Sequence, residues 1–190
     1  NEDYYKHLEE ISKNIDDGES MHDGFIMLLP VELQSKYIQF SADNPNQYIS
    51  TWVYQNFNDE QKDSFHKFIV TQYCDDLDSE LIALLPLDIR NEWILTILEK
   101  CDSYYTISHY SKWIDMGNKS QYDAFKNCCM RISVSGYNLD KELVNLLEDE
   151  DKIEVIFSMG LKSCNSETLE WFKSYKKRYS RDELVKKILC

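Results

Sequence analysis

The apolar residues of this chain recur in one motif, a run of aliphatic side chains followed by a proline. Ile26-Met27-Leu28-Leu29-Pro30 is repeated as Ile82-Ala83-Leu84-Leu85-Pro86 and, less closely, as Val144-Asn145-Leu146-Leu147-Glu148. Similar segments at near-constant spacing are typical of stacked helical units, none of which can bury its apolar face alone. The motif therefore predicts an all-α fold, a short solenoid-like helical-repeat array of about three four-helix units.

Apolar spacing divides the chain, predicted as a single all-α domain over residues 1–190, into a leading helix and three units. Residues 3–16 carry apolar side chains three or four positions apart, which places them on one helix face. Asp16-Asp17-Gly18 is expected to end this helix. The predicted segments are an N-terminal helix over 1–18 and repeat units over 19–74, 75–136 and, in diverged form, 137–190.

Helix-capping residues support the same alignment. In a capping box, the first side chain accepts a hydrogen bond from a backbone N–H three residues on, and the side chain there bonds back. Proline suits the first position of a helix, because its missing N–H would have no partner there. The predicted boxes, one at the start of the fourth helix of each unit, are Asn58 with Gln61, Asn118 with Gln121, and Ser180 with Glu183.

The composition is that of a folded protein. Hydrophobic residues make up 43% of the chain, and there are 13 Tyr, 8 Phe and 4 Trp. This is ample material for a core and argues against a disordered chain. No run of about twenty apolar residues occurs, so no helix is predicted to span a membrane.

The six cysteines are predicted to be reduced structural thiols. Several of them lie in or beside apolar stripes, where free cysteine behaves as a small hydrophobic residue. Reduced thiols favour an intracellular location, in the cytoplasm or nucleus. No CxxC pair occurs and the four histidines are dispersed, so neither zinc nor any other metal or cofactor is expected. The usage of Tyr, Asn and Lys suggests an AT-rich genome, as in viruses and parasites.

The net charge of −13 is unevenly distributed along the chain. It is −8 over residues 1–73, −4 over 74–136 and −1 over 137–190. Such a field repels nucleic acid along most of the chain and favours a partner with a basic surface. We therefore expect another protein as the partner, while the oligomeric state stays open.

Two acidic groups are candidates for binding this partner. Calcium is a poor alternative, because the second group resembles the start of an EF-hand loop but lacks the glycine at the sixth position. Acidic residues are also common at helix N-termini for electrostatic reasons alone. The candidate acidic residues are Asp16, Asp17, Glu19, Asp75, Asp76 and Asp78.

A basic stretch near the C-terminus provides the alternative hypothesis, a nucleic-acid or phospho-ligand site. Aromatic residues are interleaved with these bases, as in many phosphate-binding surfaces. The overall negative charge opposes this interpretation and favours a solvated terminal face. The candidate basic residues are Lys173, Lys176, Lys177, Arg178 and Arg181.

The chain carries no recognisable catalytic motif. Cys128-Cys129 could be combined with His66 or His109 as nucleophile and base, but packing explains the cysteines better. Neither a Gly-x-Ser-x-Gly elbow nor a glycine-rich phosphate loop occurs. The sequence thus predicts a non-enzymatic interaction module or inhibitor that presents an acidic helical surface, with no catalytic residues.

Overall fold

The computed structural model describes residues 2–72 and 74–162, together with Glu170, Lys173 and Ser174. Within this part the chain forms eleven α-helices and a 3-10 helix at Ser111–Trp113, with no strand, so the all-α prediction is confirmed. The α-helices are α1 (Glu2–Asp16), α2 (Asp23–Ile26), α3 (Val31–Asp43), α4 (Thr51–Asn56), α5 (Asp59–Thr71), α6 (Ser79–Leu84), α7 (Leu87–Lys100), α8 (Tyr104–Tyr110), α9 (Lys119–Val134), α10 (Lys141–Asn145) and α11 (Asp149–Lys162).

Short and long helices alternate along the chain. The order short, long, short, long runs through α2 to α5 and again through α6 to α9, and α10 and α11 begin it a third time. This order agrees with the recurring sequence motif, while the stacking of the groups into a solenoid stays a prediction. The remaining part of the third predicted unit, with the Ser180 and Glu183 box, lies outside the described residues.

The chain divides into two compact units, Asn1–Trp93 and Ile94–Cys190, and the boundary falls inside α7. This division separates the charge sharply. The first compact unit has 19 acidic and 6 basic residues, a net −13, whereas the second has 15 of each and is neutral. The whole net charge of the protein thus belongs to the first compact unit.

In the first compact unit, α3 packs against α1, α4 and α5, and α4 packs against α6. Two core aromatics also bind loop backbone through their polar ends. The Tyr37 hydroxyl accepts a 3.2 Å hydrogen bond from Met21 N, and Trp93 Nε1 donates one of 3.0 Å to Cys74 O. Each aromatic stands seven residues after the proline of its motif. The buried core includes Ile15, Ile26, Val53, Phe65, Ile69, Leu81, Ile82 and Trp93.

In the second compact unit, α9 packs along α11, and α10 also packs against α11. Arg131 on α9 donates hydrogen bonds of 2.6 and 3.0 Å to the carbonyls of Leu98 and Cys101. These carbonyls lie at the C-terminal end of α7, where backbone acceptors lack partners within the helix. The buried core includes Ile94, Ile97, Leu98, Ile107, Phe125, Cys128, Cys129, Ile132, Leu143, Val155 and Met159.

The two capping boxes within the described residues differ. At α5 the box is complete: Asn58 accepts from Gln61 N, and Gln61 accepts from Asn58 N, both at 2.9 Å. At α9 only half of it forms. Asn118 accepts from Gln121 N at 3.3 Å, but the Gln121 side chain accepts instead from Asp115 N at 2.7 Å. The sequence therefore predicts the helix start correctly and the reciprocal bond wrongly.

The proline of the first motif lies one position earlier than expected. Pro30 is the N-cap of α3 and precedes its first helical residue, with an extended backbone (ψ 147°) that turns the chain between α2 and α3. Two positions of each motif are buried, its first residue and its second leucine. These are Ile26 and Leu29, Ile82 and Leu85, and Val144 and Leu147. The leucine between them is exposed each time: Leu28, Leu84 and Leu146.

Candidate protein-binding surface

The first acidic group lies at the end of α1. Gly18 has a φ of 83°, and the Gly18 and Glu19 N–H groups bond to the carbonyls of Ile15 and Asn14, which closes the helix in a Schellman motif. Asp17 and Glu19 are therefore displayed on a fixed turn, and both side chains are exposed.

Asp16 is the member of this group that is already used within the fold. Its carboxylate forms a 2.7 Å ion pair with Lys36 of α3, and the same ammonium bonds to the Ser12 hydroxyl at 2.7 Å. This pair links α1 to α3 at a largely exposed position, where an ion pair contributes little, about 0.2–1 kcal/mol. Asp17 and Glu19 are the more available carboxylates for a partner.

The second acidic group surrounds the start of α6. Asp78 is the N-cap of α6 and accepts hydrogen bonds from Leu81 N at 2.8 Å and from the Tyr48 hydroxyl at 3.1 Å. Burial and the hydrogen bond with Asp78 raise the pKa of Tyr48. Asp76 accepts from the Cys74 thiol at 3.2 Å. Asp75 and Asp76 are exposed, whereas Asp78 primarily organises the helix start.

A group of exposed apolar side chains, unnoticed in the sequence, lies on α2 and at the start of α3. Phe25, Met27, Leu28 and Val31 are 46, 56, 84 and 71% exposed. All four fall within seven consecutive residues of the acidic compact unit. We call them the α2–α3 apolar cluster.

The backbone beneath this cluster is held by specific bonds. His22 caps α2 through Nδ1, which accepts from Gly24 N at 3.1 Å. The Gln34 side-chain amide donates to the carbonyls of Leu29 at 2.8 Å and Met27 at 3.3 Å, which satisfies two carbonyls of the turn that follows α2. The exposed side chains therefore project from an ordered turn between two helices.

A comparison of the first and third motifs could have located two members of this cluster, Met27 and Val31, from sequence. The third motif has Asn145 where the first has Met27, and Asp149 where the first has Val31. Both polar residues are exposed. Positions that are apolar in one copy and polar in another indicate a solvent-facing site, because a core position would exclude Asp.

The basic candidates fall mostly outside the described residues. Lys176, Lys177, Arg178 and Arg181 all do so. Lys173 is described, and its ammonium pairs with Glu170 at 2.7 Å, both side chains being largely exposed. The alternative nucleic-acid hypothesis thus stays a prediction from sequence.

The four described cysteines are free thiols, and the pKa is raised in three of them. Burial raises the pKa of Cys74 and of Cys129 to about 12. The hydrogen bond with Cys101 and burial together raise the pKa of Cys128. In Cys74, Cys128 and Cys129 the protonated thiol is therefore favoured over the reactive thiolate. Cys101, Cys128 and Cys129 are buried and pack in the core.

The second compact unit contains a cleft of about 240 Å³ between α8 and α10. Two of its charged groups, Asp140 and Lys112, are already engaged. Asp140 caps α10 and binds Tyr104, and the Lys112 ammonium lies 5.5 Å from the centre of the Trp113 ring. The cleft is lined by Ser108, Ser111, Lys112, Asp140, Glu142, Leu143 and Leu146.

The described residues contain neither a cluster of metal-binding side chains nor a membrane-spanning helix. No group of three or more His, Cys, Asp or Glu side chains over 2–72 and 74–162 is positioned to hold a metal ion. Nor does this part of the chain contain a helix with the length and apolarity required to cross a membrane.

Comparison with known proteins adds no assignment to this geometry. No protein-family model matches the chain, and neither the curated proteins nor the solved structures gave a significant match. The protein is defined here by its all-α fold and by the acidic and apolar surface of its first compact unit.

Proposed function

We propose that this protein is a non-enzymatic interaction module whose first compact unit binds a basic surface of another protein. The observation that carries this proposal is the charge separation, −13 for residues 1–93 and zero for residues 94–190. A field of one sign accelerates and orients the encounter with an oppositely charged partner.

The exposed carboxylates give this field its points of contact. Asp17, Glu19 and Asp75 are exposed side chains of the first compact unit, and the first two stand on the closed end of α1. Asp78, although acidic, is engaged with Tyr48 and the start of α6. We assign partner contact to the exposed acids and a positioning role to Asp78.

A salt titration with a basic probe tests the proposal. A fluorescent oligolysine peptide is titrated with the full chain at ionic strengths from about 0.05 to about 0.3 M, since screening lengths fall across this range. The variant Asp17→Asn/Glu19→Gln/Asp75→Asn should bind the peptide about tenfold more weakly than the wild-type protein at the lowest salt, because each lost charge should cost about 0.5 kcal/mol of binding free energy. The difference should shrink as salt is raised.

The matched control neutralises three exposed acids of the second compact unit, Glu99→Gln/Asp102→Asn/Asp123→Asn. It changes the net charge of the protein by the same amount, so it should weaken binding far less if the first compact unit is the binding region. Equal losses in the two triple variants, or binding that is indifferent to salt, would contradict the proposal.

A further inference from the structure

We propose that the α2–α3 apolar cluster is the docking site for an amphipathic helical segment of a partner, with apolar side chains flanked by Lys and Arg. This inference rests on the proposed function and assigns it a site. Phe25, Met27, Leu28 and Val31 would contact the apolar face of the segment, and the surrounding carboxylates its basic residues.

Two of the four exposed apolar residues, Met27 and Val31, are not required by the fold of the turn. In the third motif their positions hold Asn145 and Asp149, and the flanking helices α10 and α11 form there as well. Burial of the motif depends instead on Ile26 and Leu29, which face the interior. Exposed apolar side chains that a fold does not need, rimmed by polar residues, are typical of protein-binding surfaces.

The charge around the cluster defines the chemistry of the occupant. Residues 14–35 contain five acidic residues and no Lys or Arg. The next base, Lys36, has its ammonium bound to Asp16 and Ser12. A segment that covers the cluster therefore meets a stretch of chain with five acids and no Lys or Arg, which favours flanking Lys or Arg and disfavours flanking Asp or Glu.

The same charge argues against the two other occupants of an exposed apolar patch. A second copy of this chain that met the cluster through the same face would bring its own first compact unit, of net charge −13, against an identical one. An anionic membrane surface would also be repelled. The basic amphipathic segment is the occupant that satisfies both the apolar side chains and the acidic surroundings.

The test compares two synthetic peptides of identical Leu and Lys composition. One, of about 18 residues, places all leucines on one helix face, and the other has the same residues in an order without an apolar face. Binding of each peptide to the full chain is followed by fluorescence anisotropy. Wild-type protein should bind the amphipathic peptide about tenfold more tightly than the scrambled one, a difference of about 1.4 kcal/mol.

The decisive variant is Met27→Asn/Val31→Asn, which introduces polar residues at the two positions that are polar in the third motif. It leaves the net charge unchanged. It should lose the preference for the amphipathic peptide and keep the salt-dependent binding of the scrambled peptide. The control Tyr105→Asn alters an equally exposed apolar residue, 82% exposed, in the second compact unit and should keep the preference.

The outcomes separate the two levels of the proposal. If Met27→Asn/Val31→Asn retains the wild-type preference while the acidic triple variant weakens both peptides, the docking site is overturned and the proposed function stands. If neither peptide binds in a salt-dependent manner, both are overturned. Two other results would assign the cluster to a different occupant and overturn the inference. One is a concentration-dependent dimer in sedimentation that is lost in Met27→Asn/Val31→Asn, and the other is binding to phosphatidylcholine vesicles that is lost in the same variant.

Discussion

The hydroxyl of Tyr104 donates a 2.6 Å hydrogen bond to Asp140, whose other carboxylate oxygen accepts from Leu143 N and caps α10. This bond, followed by burial, raises the pKa of Tyr104. The same relationship joins Tyr48 to Asp78, the N-cap of α6, at 3.1 Å. In both cases a tyrosine from the preceding part of the chain fixes the carboxylate that starts the short helix of a motif.

We expect Asp140→Ala to lower the free energy of unfolding by about 2 kcal/mol, since it removes a helix cap and a charged hydrogen-bond acceptor together. Asp140→Asn keeps a capping oxygen and should cost about half as much. Urea unfolding followed by circular dichroism measures both. Tyr104→Phe is the partner control and should cost about 1 kcal/mol, the value of the shared hydrogen bond. Equal losses for Asp140→Ala and Asp140→Asn would show that the cap does not stabilise α10.

Helix starts were predictable from sequence because capping depends on neighbouring residues. Asn58 and Gln61 form the full box that their spacing predicts. Gln121 departs from its predicted role because the turn after the 3-10 helix brings Asp115 N to its side-chain oxygen. That partner lies six residues away, and a three-residue spacing rule cannot include it.

The structural role of Asp78 was only partly predictable. Its cap on Leu81 N is local, but its second partner, Tyr48, is thirty residues away. The exposure of Leu28 beside buried Leu29 has a different cause, because both residues lie in the turn that follows the short helix α2. A helix as short as α2 buries one side only, and sequence periodicity needs several turns to define that side.

The two glycines with positive φ allow a matched measurement of helix termination. Gly18 (φ 83°) closes α1 and Gly136 (φ 92°) closes α9. An added Cβ would meet nothing within 4 Å at Gly136, whereas at Gly18 it would lie 3.1 Å from Gln47 Nε2, the end of a flexible side chain.

We expect Gly136→Ala to cost about 1 kcal/mol from backbone strain alone, and Gly18→Ala the same cost plus a small contribution from moving Gln47. Thermal or urea unfolding measures both. Gly18→Asn should recover part of the loss, because Asn tolerates the left-handed conformation. A neutral Gly136→Ala would show that the strain is relieved by a change in the turn.

Arg131 provides a test of packing between α9 and the end of α7. Its guanidinium donates to two carbonyls, so Arg131→Met, which keeps the apolar stem, should lower the free energy of unfolding by about 2 kcal/mol. Both bonds come from one guanidinium nitrogen, and Arg131→Lys, which places a point charge on a flexible stem, should restore only part of this. Hydrogen exchange of the last-turn amides of α7 should increase in Arg131→Met. Unchanged exchange would place the energetic effect elsewhere.

His66 is a buried titratable group of the first compact unit. Its Nε2 lies 2.9 Å from the Tyr54 hydroxyl, and both side chains are buried. Burial lowers the pKa of His66 below its usual value of 6.5 and is assisted by Lys62, while Asp63 and Asp88 act in the opposite direction. Protonation in the folded state would place a charge beside the packed rings of Tyr54 and Phe65.

The lowered pKa of His66 predicts a loss of stability in mild acid. Above pH 6.5 the imidazole is neutral in both the folded and unfolded chain; as the pH falls below 6.5 the unfolded chain binds a proton that the folded chain resists. The free energy of unfolding should therefore decrease through this interval and level off below the folded pKa. The difference between wild type and His66→Gln, measured by urea unfolding from pH 7.5 down to about 5.5, isolates this contribution from the carboxylates, which titrate lower. A difference that did not change with pH would mean that His66 has the same pKa in the folded and unfolded chain. The ¹H chemical shift of the His66 ring measures the folded pKa directly, and its titration midpoint is expected below 6.5.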